Sequence, residues 1–485
     1  MWTSTAPMIL SIHSTGPVRR SMCSLYGSPS STGKANRWLC NSRVYICAIL
    51  GLSTMIVAFA SSIFAPAIPV VMLLYGVSKE VATLGVSLYV FGFAAGPLVF
   101  GPFSELKGRY VPLVLSMFGF TIFSFATAVS KDVQSLFILR FFTGFFGSGP
   151  LTLAGPAFAD MFSPQQRGVP IVMFCLMVFI GPLAGPFTGG FIIMNHSLGW
   201  RWTAYIPGIL GAAALVVMTL FLEETFQPVI LTRKAEHLRR ETGDWSLHSE
   251  QEEIHLDLRS IIRDNLSLPL KMLVKEPIVL CMCIFGAFVY GLLYLFLTAY
   301  PYVFQITRGM NPGVGGLPYI GVIIGTLFGA AATAATQPWV LRKLKQNNGE
   351  MMPEWRLPVA IPGAVLFTGG LFWLGWSGYK GNVHWIVPTA SGLFTGFGLL
   401  TMFLPSLAYL VEASGDKSAS AIAAHTFLRS AAGGAFPLFA TQMFDGLGVE
   451  WACTLLGCVG ALLIPIPLLL YIFGARIRAR SGLSA

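Results

Sequence analysis

Charge is what this chain has least of. Only 11% of its 485 residues are charged, where soluble domains run near a quarter. That shortfall excludes an ordinary cytosolic enzyme. Acids are scarcer than bases, at 21 Asp and Glu against 31 Lys and Arg, and no acid sits in the middle of a long apolar run. Cysteine supplies no framework either. Cys47, Cys175, Cys281, Cys283, Cys453 and Cys458 lie in apolar runs, at neither disulfide nor metal spacing. No nucleophile, nucleotide loop or metal-ligand set occurs. The sequence therefore points to no enzyme, no cofactor and no metal. A secretory signal is not expected, since no short apolar region is followed by a cleavage site.

What the chain has is apolar length. Hydrophobic residues make up 54% of it, and about 20 mainly apolar residues cross a bilayer. The runs 44–63, 81–103, 111–129, 202–222, 278–304, 313–335, 357–376, 383–411 and 451–473 meet that need. Adding 133–161, 168–194 and 418–444, which carry isolated polar residues, gives about twelve spans. All should be helices, because lipid offers backbone groups no partner. The predicted class is an all-α membrane protein, with the lipid bilayer as its solvent.

The net charge of +10 raises the question of nucleic acid, and the positions answer it. Bases such as Arg19, Arg20, Lys107, Arg109, Arg167, Arg342, Lys343, Lys417 and Arg476 fall in one set of alternate loops. The other set holds only Lys79, Lys131, Arg201, Arg308 and Lys380. That is an orientation pattern. It places both termini and the loop 223–276 in the cytoplasm, and no nucleic acid is expected. The organisation reads as a disordered tail (1–43), six spans (44–222), a central loop (223–276), six more spans (277–473) and a short tail (474–485). Within the central loop, residues 233–244 read as a basic amphipathic helix ended near Gly243.

The stretch GPFSELKGRY, residues 101–110, is charged and sits between two oily spans. Gly101 and Gly108 would allow a tight reversal. Glu105 is a fixed anion suited to a helix N-terminus, and Arg109 suits a carboxylate. Asp160, at the same end of the fourth span, is its best candidate partner, with Arg167 just beyond. Glu412 occupies the corresponding place after the tenth span. The fifth span carries Gly181, Pro182, Gly185, Pro186, Gly189 and Gly190, a small-residue face that lets helices approach closely.

Three polar residues stand deeper. Arg140 lies about seven positions into the fourth span, a costly depth for a charge. Arg429 lies about 18 Å along the eleventh helix at 1.5 Å per residue. His425, four residues earlier, shares its face. The histidine reads either as a titrating site or as a hydrogen-bonding side chain. Tyr290 and Tyr294 share a face of the seventh span and would line an aromatic cavity.

The pattern G-x3-[D/E]-x2-G-R, met here by Gly101, Glu105, Gly108 and Arg109, resembles the loop motif of the major facilitator superfamily. GPLAGPFTGG (181–190), GWRW (199–202), EETFQPVILTRKAEHLRRETGD (223–244) and FLRSAAGGAFPLFATQMF (427–444) are similar to its fungal drug:proton antiporter branch. The resemblance implies the major facilitator fold, with 12 transmembrane helices in two six-helix pseudo-symmetric bundles. It implies proton-coupled export of small amphipathic compounds by alternating access, by a monomer in the plasma membrane or, alternatively, a vacuolar or other internal membrane. An uncoupled facilitator or importer would share the packing motifs, and a non-transporting nutrient sensor is the other alternative.

It further implies a cytoplasmic latch at Gly101, Glu105, Gly108, Arg109, Asp160, Arg167 and Glu412. In that latch Glu105 faces the eleventh helix at Ser418 and Ala419, an Arg109–Asp160 contact breaks as the halves rock, and Glu412 lies near Arg342 or Lys343. Residues 181–190 would act as an antiporter hinge, and Arg140, followed by Gly144, would serve proton coupling. One departure is visible: that branch usually has Asn where this chain has His425.

Overall fold

The structure is a computed structural model that describes residues 32–162, 166–195, 197–246, 248–249, 268–348, 351–415 and 418–480. The expected disordered tail falls largely outside this range, but its boundary moves. The first helix runs Thr32–Ser62 and so begins inside it.

Among the described residues, eleven helical stretches are long and apolar enough to cross a membrane. In order they are Arg43–Tyr75, Lys79–Lys107, Tyr110–Ala128, Val133–Met161, Gly168–Met194, Trp202–Phe221, Pro277–Ile306, Val314–Gln346, Pro353–Gly378, Ile386–Ser414 and Ser420–Arg478. The last is two spans. Its helix is interrupted at Gly448, where φ is 77° and ψ 167°, a conformation that favours glycine. The chain reverses there: Gly433 lies against Tyr290 and Tyr294, whereas beyond the turn Val449, Cys453 and Gly457 run back along Gly378, Gly375 and Phe372. The described residues thus make twelve crossings.

Local sequence explains the ends of these helices. Ser78 accepts a hydrogen bond from the Val81 N–H at 3.4 Å, and Asp132 accepts one from the Ser135 N–H at 3.0 Å. Each caps a span, satisfying a helix-start donor. Gly76, with φ 62°, closes the first crossing. The basic helix of the central loop runs Gln227–Thr242 and stops at Gly243, whose φ is 70°. It starts earlier than the sequence reading placed it.

The packing has a six-span period. In the first half the first span packs on the fifth, the second on the fourth, and the third on the fourth and sixth. In the second half the seventh packs on the eleventh, the eighth on the tenth, and the ninth on the tenth and twelfth. The halves meet where the fifth span touches the eighth and the second touches the eleventh. Glycines allow the close approaches: a Cβ on Gly144 would overlap the Tyr89 carbonyl, and one on Gly396 the Val322 carbonyl. Outward-facing Leu73, Leu220, Phe221 and Leu462 are exposed, as lipid-facing side chains must be.

Candidate functional site

Three groups of polar side chains stand out: one at the central-loop end of each half, and one at the middle. In the first half, Arg109 donates from Nε to Asp160 Oδ2 at 3.0 Å and from Nη1 to Ser104 Oγ at 2.7 Å. Its guanidinium lies 4.6 Å from the centre of the Phe226 ring. Glu224 completes the cluster. Its carboxylate accepts from the backbone N–H groups of Arg109 (2.7 Å), Tyr110 (3.2 Å), Thr225 and Phe226 (both 3.0 Å). Sequence reasoning quoted Glu224 but gave it no role. Gly108 has φ 86°, and a Cβ there would overlap Glu224. Gly101 differs from expectation: it lies inside the helix Pro97–Lys107 and takes no part in the reversal.

Arg167 donates to the carbonyls of Ala159 (3.1 Å) and Phe162 (3.3 Å) at the end of the fourth span. Burial lowers its guanidinium from the ordinary value, and Asp160 opposes that shift. Glu105 is flanked by the charge of Arg109; the side chains of Ser418 and Ala419, its expected counterparts, lie outside the described residues.

The second half repeats the arrangement with different residues. Glu412 pairs with Arg356, at 2.9 Å from Nη2 and 3.0 Å from Nε. This corrects the expectation that Arg342 or Lys343 would be its partner; Lys343 instead lies over the rings of Trp339 and Trp355, at 4.3 and 5.8 Å. The reason is placement. Arg356 opens the ninth span beside the end of the tenth, as Arg109 precedes the third beside the end of the fourth. Arg356 also donates to Gln337 Oε1 at 3.1 Å. Glu354 receives Arg478 at 2.8 and 3.0 Å. Arg478, assigned by sequence to a tail, therefore ends the twelfth span and ties it to the start of the ninth.

Arg140 is 3% exposed and fully engaged. It donates to the carbonyls of Gly85 (2.8 Å), Ala60 (3.1 Å) and Ser61 (3.2 Å). Ala60 and Ser61 belong to the last turn of a helix that stops at Ser62, where carbonyls lack intrahelical donors and attract cations. The rings of Phe64 and Tyr89 cover the guanidinium at 4.8 and 4.6 Å. A small void of about 10 Å³, room for roughly one water, lies beside it, lined by Ser124, Thr127, Thr143 and Thr203 among others.

The middle group lies where the halves meet. Tyr294 and Ser61 share a hydrogen bond of 2.9 Å between the seventh and first spans. Phe179 and Phe403, from the fifth and tenth, pack edge to face at 5.1 Å. Arg429 lies over Tyr290 at 5.0 Å and Phe403 at 5.2 Å. His425 is wholly buried, and both its ring nitrogens are without a hydrogen-bond partner. Its Nε2 occupies the space that a Cβ on Gly286 would need. The structure thus brings Tyr290, Tyr294, His425 and Arg429 together, and Ser61, which accepts from Arg140 through its carbonyl and shares a hydrogen bond with Tyr294 through its hydroxyl, links Arg140 to that group.

The glycines of the fifth span divide between two neighbours. Cβ atoms on Gly181, Gly185 and Gly189 would collide with the first span at Ala58, Ser62 and Ile63, and one on Gly190 with the Pro312 carbonyl of the other half. Pro182 and Pro186 lie buried inside one continuous helix, Gly168–Met194.

The comparisons with known proteins agree with this architecture. The profile of the Major Facilitator Superfamily matches residues 50–437. The chain is 44% identical over 440 residues to the Major facilitator superfamily multidrug transporter FLU1 of Candida albicans, covering 90% of this chain and 72% of that protein. It is 43% identical over 445 residues to the Multidrug transporter TPO1_1 of Candida glabrata, covering 92% and 78%. Among solved structures, the proton:xylose symporter XylE superposes with a TM-score of 0.62 at 17% identity, covering 89% of this chain and 95% of that one. At that identity the likeness speaks for the fold. The twelve-span fold, the profile match and the fungal relatives lead to one assignment: this chain belongs to the major facilitator superfamily of membrane transporters.

Proposed function

We propose that this chain is a secondary active exporter, which moves small amphipathic compounds outward in exchange for protons by alternating access. The observation that carries the reading is the centre: two six-span halves meet at a buried group of aromatic and basic side chains drawn from both. Such a seam, near mid-membrane between repeats, is where transporters of this build hold substrate. Tyr290 and Tyr294 offer the aromatic wall. The names of the multidrug relatives support the substrate class, and the loop pattern of bases supports cytoplasmic termini in a plasma-membrane monomer. The Arg109 and Arg356 clusters act as the rim of the cytoplasmic face, with the fifth span as hinge.

The proton needs a carrier. Asp160 and Glu412 are tied to arginines at 3.0 and 2.9 Å, and Arg140 is bound by three carbonyls. Within the seam itself, His425, against Phe403 and one turn from Arg429, is the side chain assigned to exchange one. The lack of a mid-membrane acid favours one rival, an uncoupled facilitator. A pH jump imposed on proteoliposomes loaded with a fluorescent amphipathic dye separates the two. Coupled export gives dye movement against its gradient, and movement that ignores the pH step sinks the proton claim. His425→Asn is expected to keep transport but change its pH profile; an unchanged profile removes the histidine from the proton path.

A further inference from the structure

The buried and half-buried arginines among the described residues are not equally provided for. Arg140 has three carbonyl acceptors and two rings. Arg109, Arg356 and Arg478 each have a carboxylate. Arg429 has two ring faces, and its Nε is buried without a hydrogen-bond partner. It is 8% exposed, and it lies close enough to Cys175 of the fifth span to interact with it electrostatically. One turn away on the same face, His425 buries both ring nitrogens, also without partners. Buried donors and charges left unpaired are unfavourable. Here several converge at the seam between the halves, beside an aromatic wall. The acids that could neutralise them are held at the rims.

We propose that the central site takes an organic anion, a flat amphipathic molecule whose carboxylate sits against Arg429 and His425 and whose ring lies among Tyr290, Tyr294 and Phe403. The inference deepens the transport reading and rests on it for the site's location. A carboxylate accepts from both edges of a guanidinium and from an imidazole N–H. An organic cation placed there would meet Arg429 across a short, poorly screened distance. The same rings that flank the guanidinium can stack on a planar ligand.

The test uses the full chain, purified in nanodiscs, and three probes on one scaffold: naphthalene-2-carboxylate, naphthalene-2-carboxamide and 2-naphthylmethylammonium. Equilibrium binding is read from intrinsic fluorescence with no gradient applied, in chloride and in gluconate buffers. The carboxylate is expected to bind at least about ten-fold tighter than either analogue, the discrimination of one charged hydrogen bond. Arg429→Lys should retain the preference, and Arg429→Gln should erase it. Equal binding of the amide or the ammonium, or no binding of the carboxylate, overturns the proposal. So does a preference that survives in Arg429→Gln. Chloride competing away the carboxylate without any gain from the ring would identify an inorganic anion site and also overturn it. If Arg429→Gln does not fold, the wild-type series and Arg429→Lys still decide. Because binding is read without flux, selectivity for the anion with no proton-driven transport would sink the transport reading alone.

Discussion

At the scale of single residues, the two glycines of the loop motif are not equivalent. Gly108 adopts φ 86° and has no room for a methyl group, because Glu224 fills that space. Gly101 is helical, and a Cβ there would meet nothing within 4 Å. Gly108→Ala is expected to lower stability by more than about 1 kcal/mol, and Gly101→Ala to raise it by roughly 0.5–1 kcal/mol. Melting temperatures of the purified variants in detergent check this, and equal effects would remove the distinction. The sequence made the glycines visible as a pair but not their difference, because a motif records identity and not backbone angle. Arg140 was legible as a buried cation. Its partners were not, since backbone carbonyls leave no mark in the side-chain alphabet.

At the scale of elements, the rim clusters show what spacing can carry. Arg109 precedes Asp160 by 51 residues, and Arg356 precedes Glu412 by 56. Glu224 follows Arg109 by 115, and Arg478 follows Glu354 by 124. Near-equal separations in the two halves were the signal that could have paired Glu412 correctly. Arg342 and Lys343 misled because they are near the same face in sequence order, while the tenth span ends beside the start of the ninth. The polarity of the outer pair is reversed: a glutamate follows the sixth span, and an arginine ends the twelfth. Glu412→Arg alone should destabilise the second half by about 1–3 kcal/mol, discounted from a fully buried pair because both side chains are partly exposed. Adding Arg356→Glu should recover at least half of that. A double variant no better than the single would show that Gln337 and the backbone, and not the ion pair, hold this corner.

At the scale of the whole molecule, the halves touch at both ends of the seam. At the central-loop face, a Cβ on Gly168 would lie 2.6 Å from Gln337 Oε1. At the opposite face, a Cβ on Gly316 would lie 3.1 Å from the Phe187 Cβ. Cysteine pairs at 168/337, joined by a short thiol cross-linker, and at 187/316, joined as a disulfide, fix one end each in a background stripped of native cysteines. Alternating access requires each end to open in turn, so either link is expected to stop transport and reducing the disulfide to restore it. Undiminished flux through a protein confirmed as linked would end the rocking account. The division into two sets of six was readable from span count and loop polarity. The fifth–eighth and second–eleventh contacts were not, because a lipid-facing helix and a seam-facing helix are equally apolar.

The reversal at Gly448 has a practical corollary. Because Gly448 is the one non-helical residue between the last two crossings, that hairpin offers no loop in which to place an epitope, a glycan acceptor or a protease site. Topology reporters meant for this side belong instead between Gly378 and Ile386, where the backbone leaves the helix and Lys380 and Trp385 are open to solvent. An insertion at 448 would report on a broken hairpin, not on sidedness.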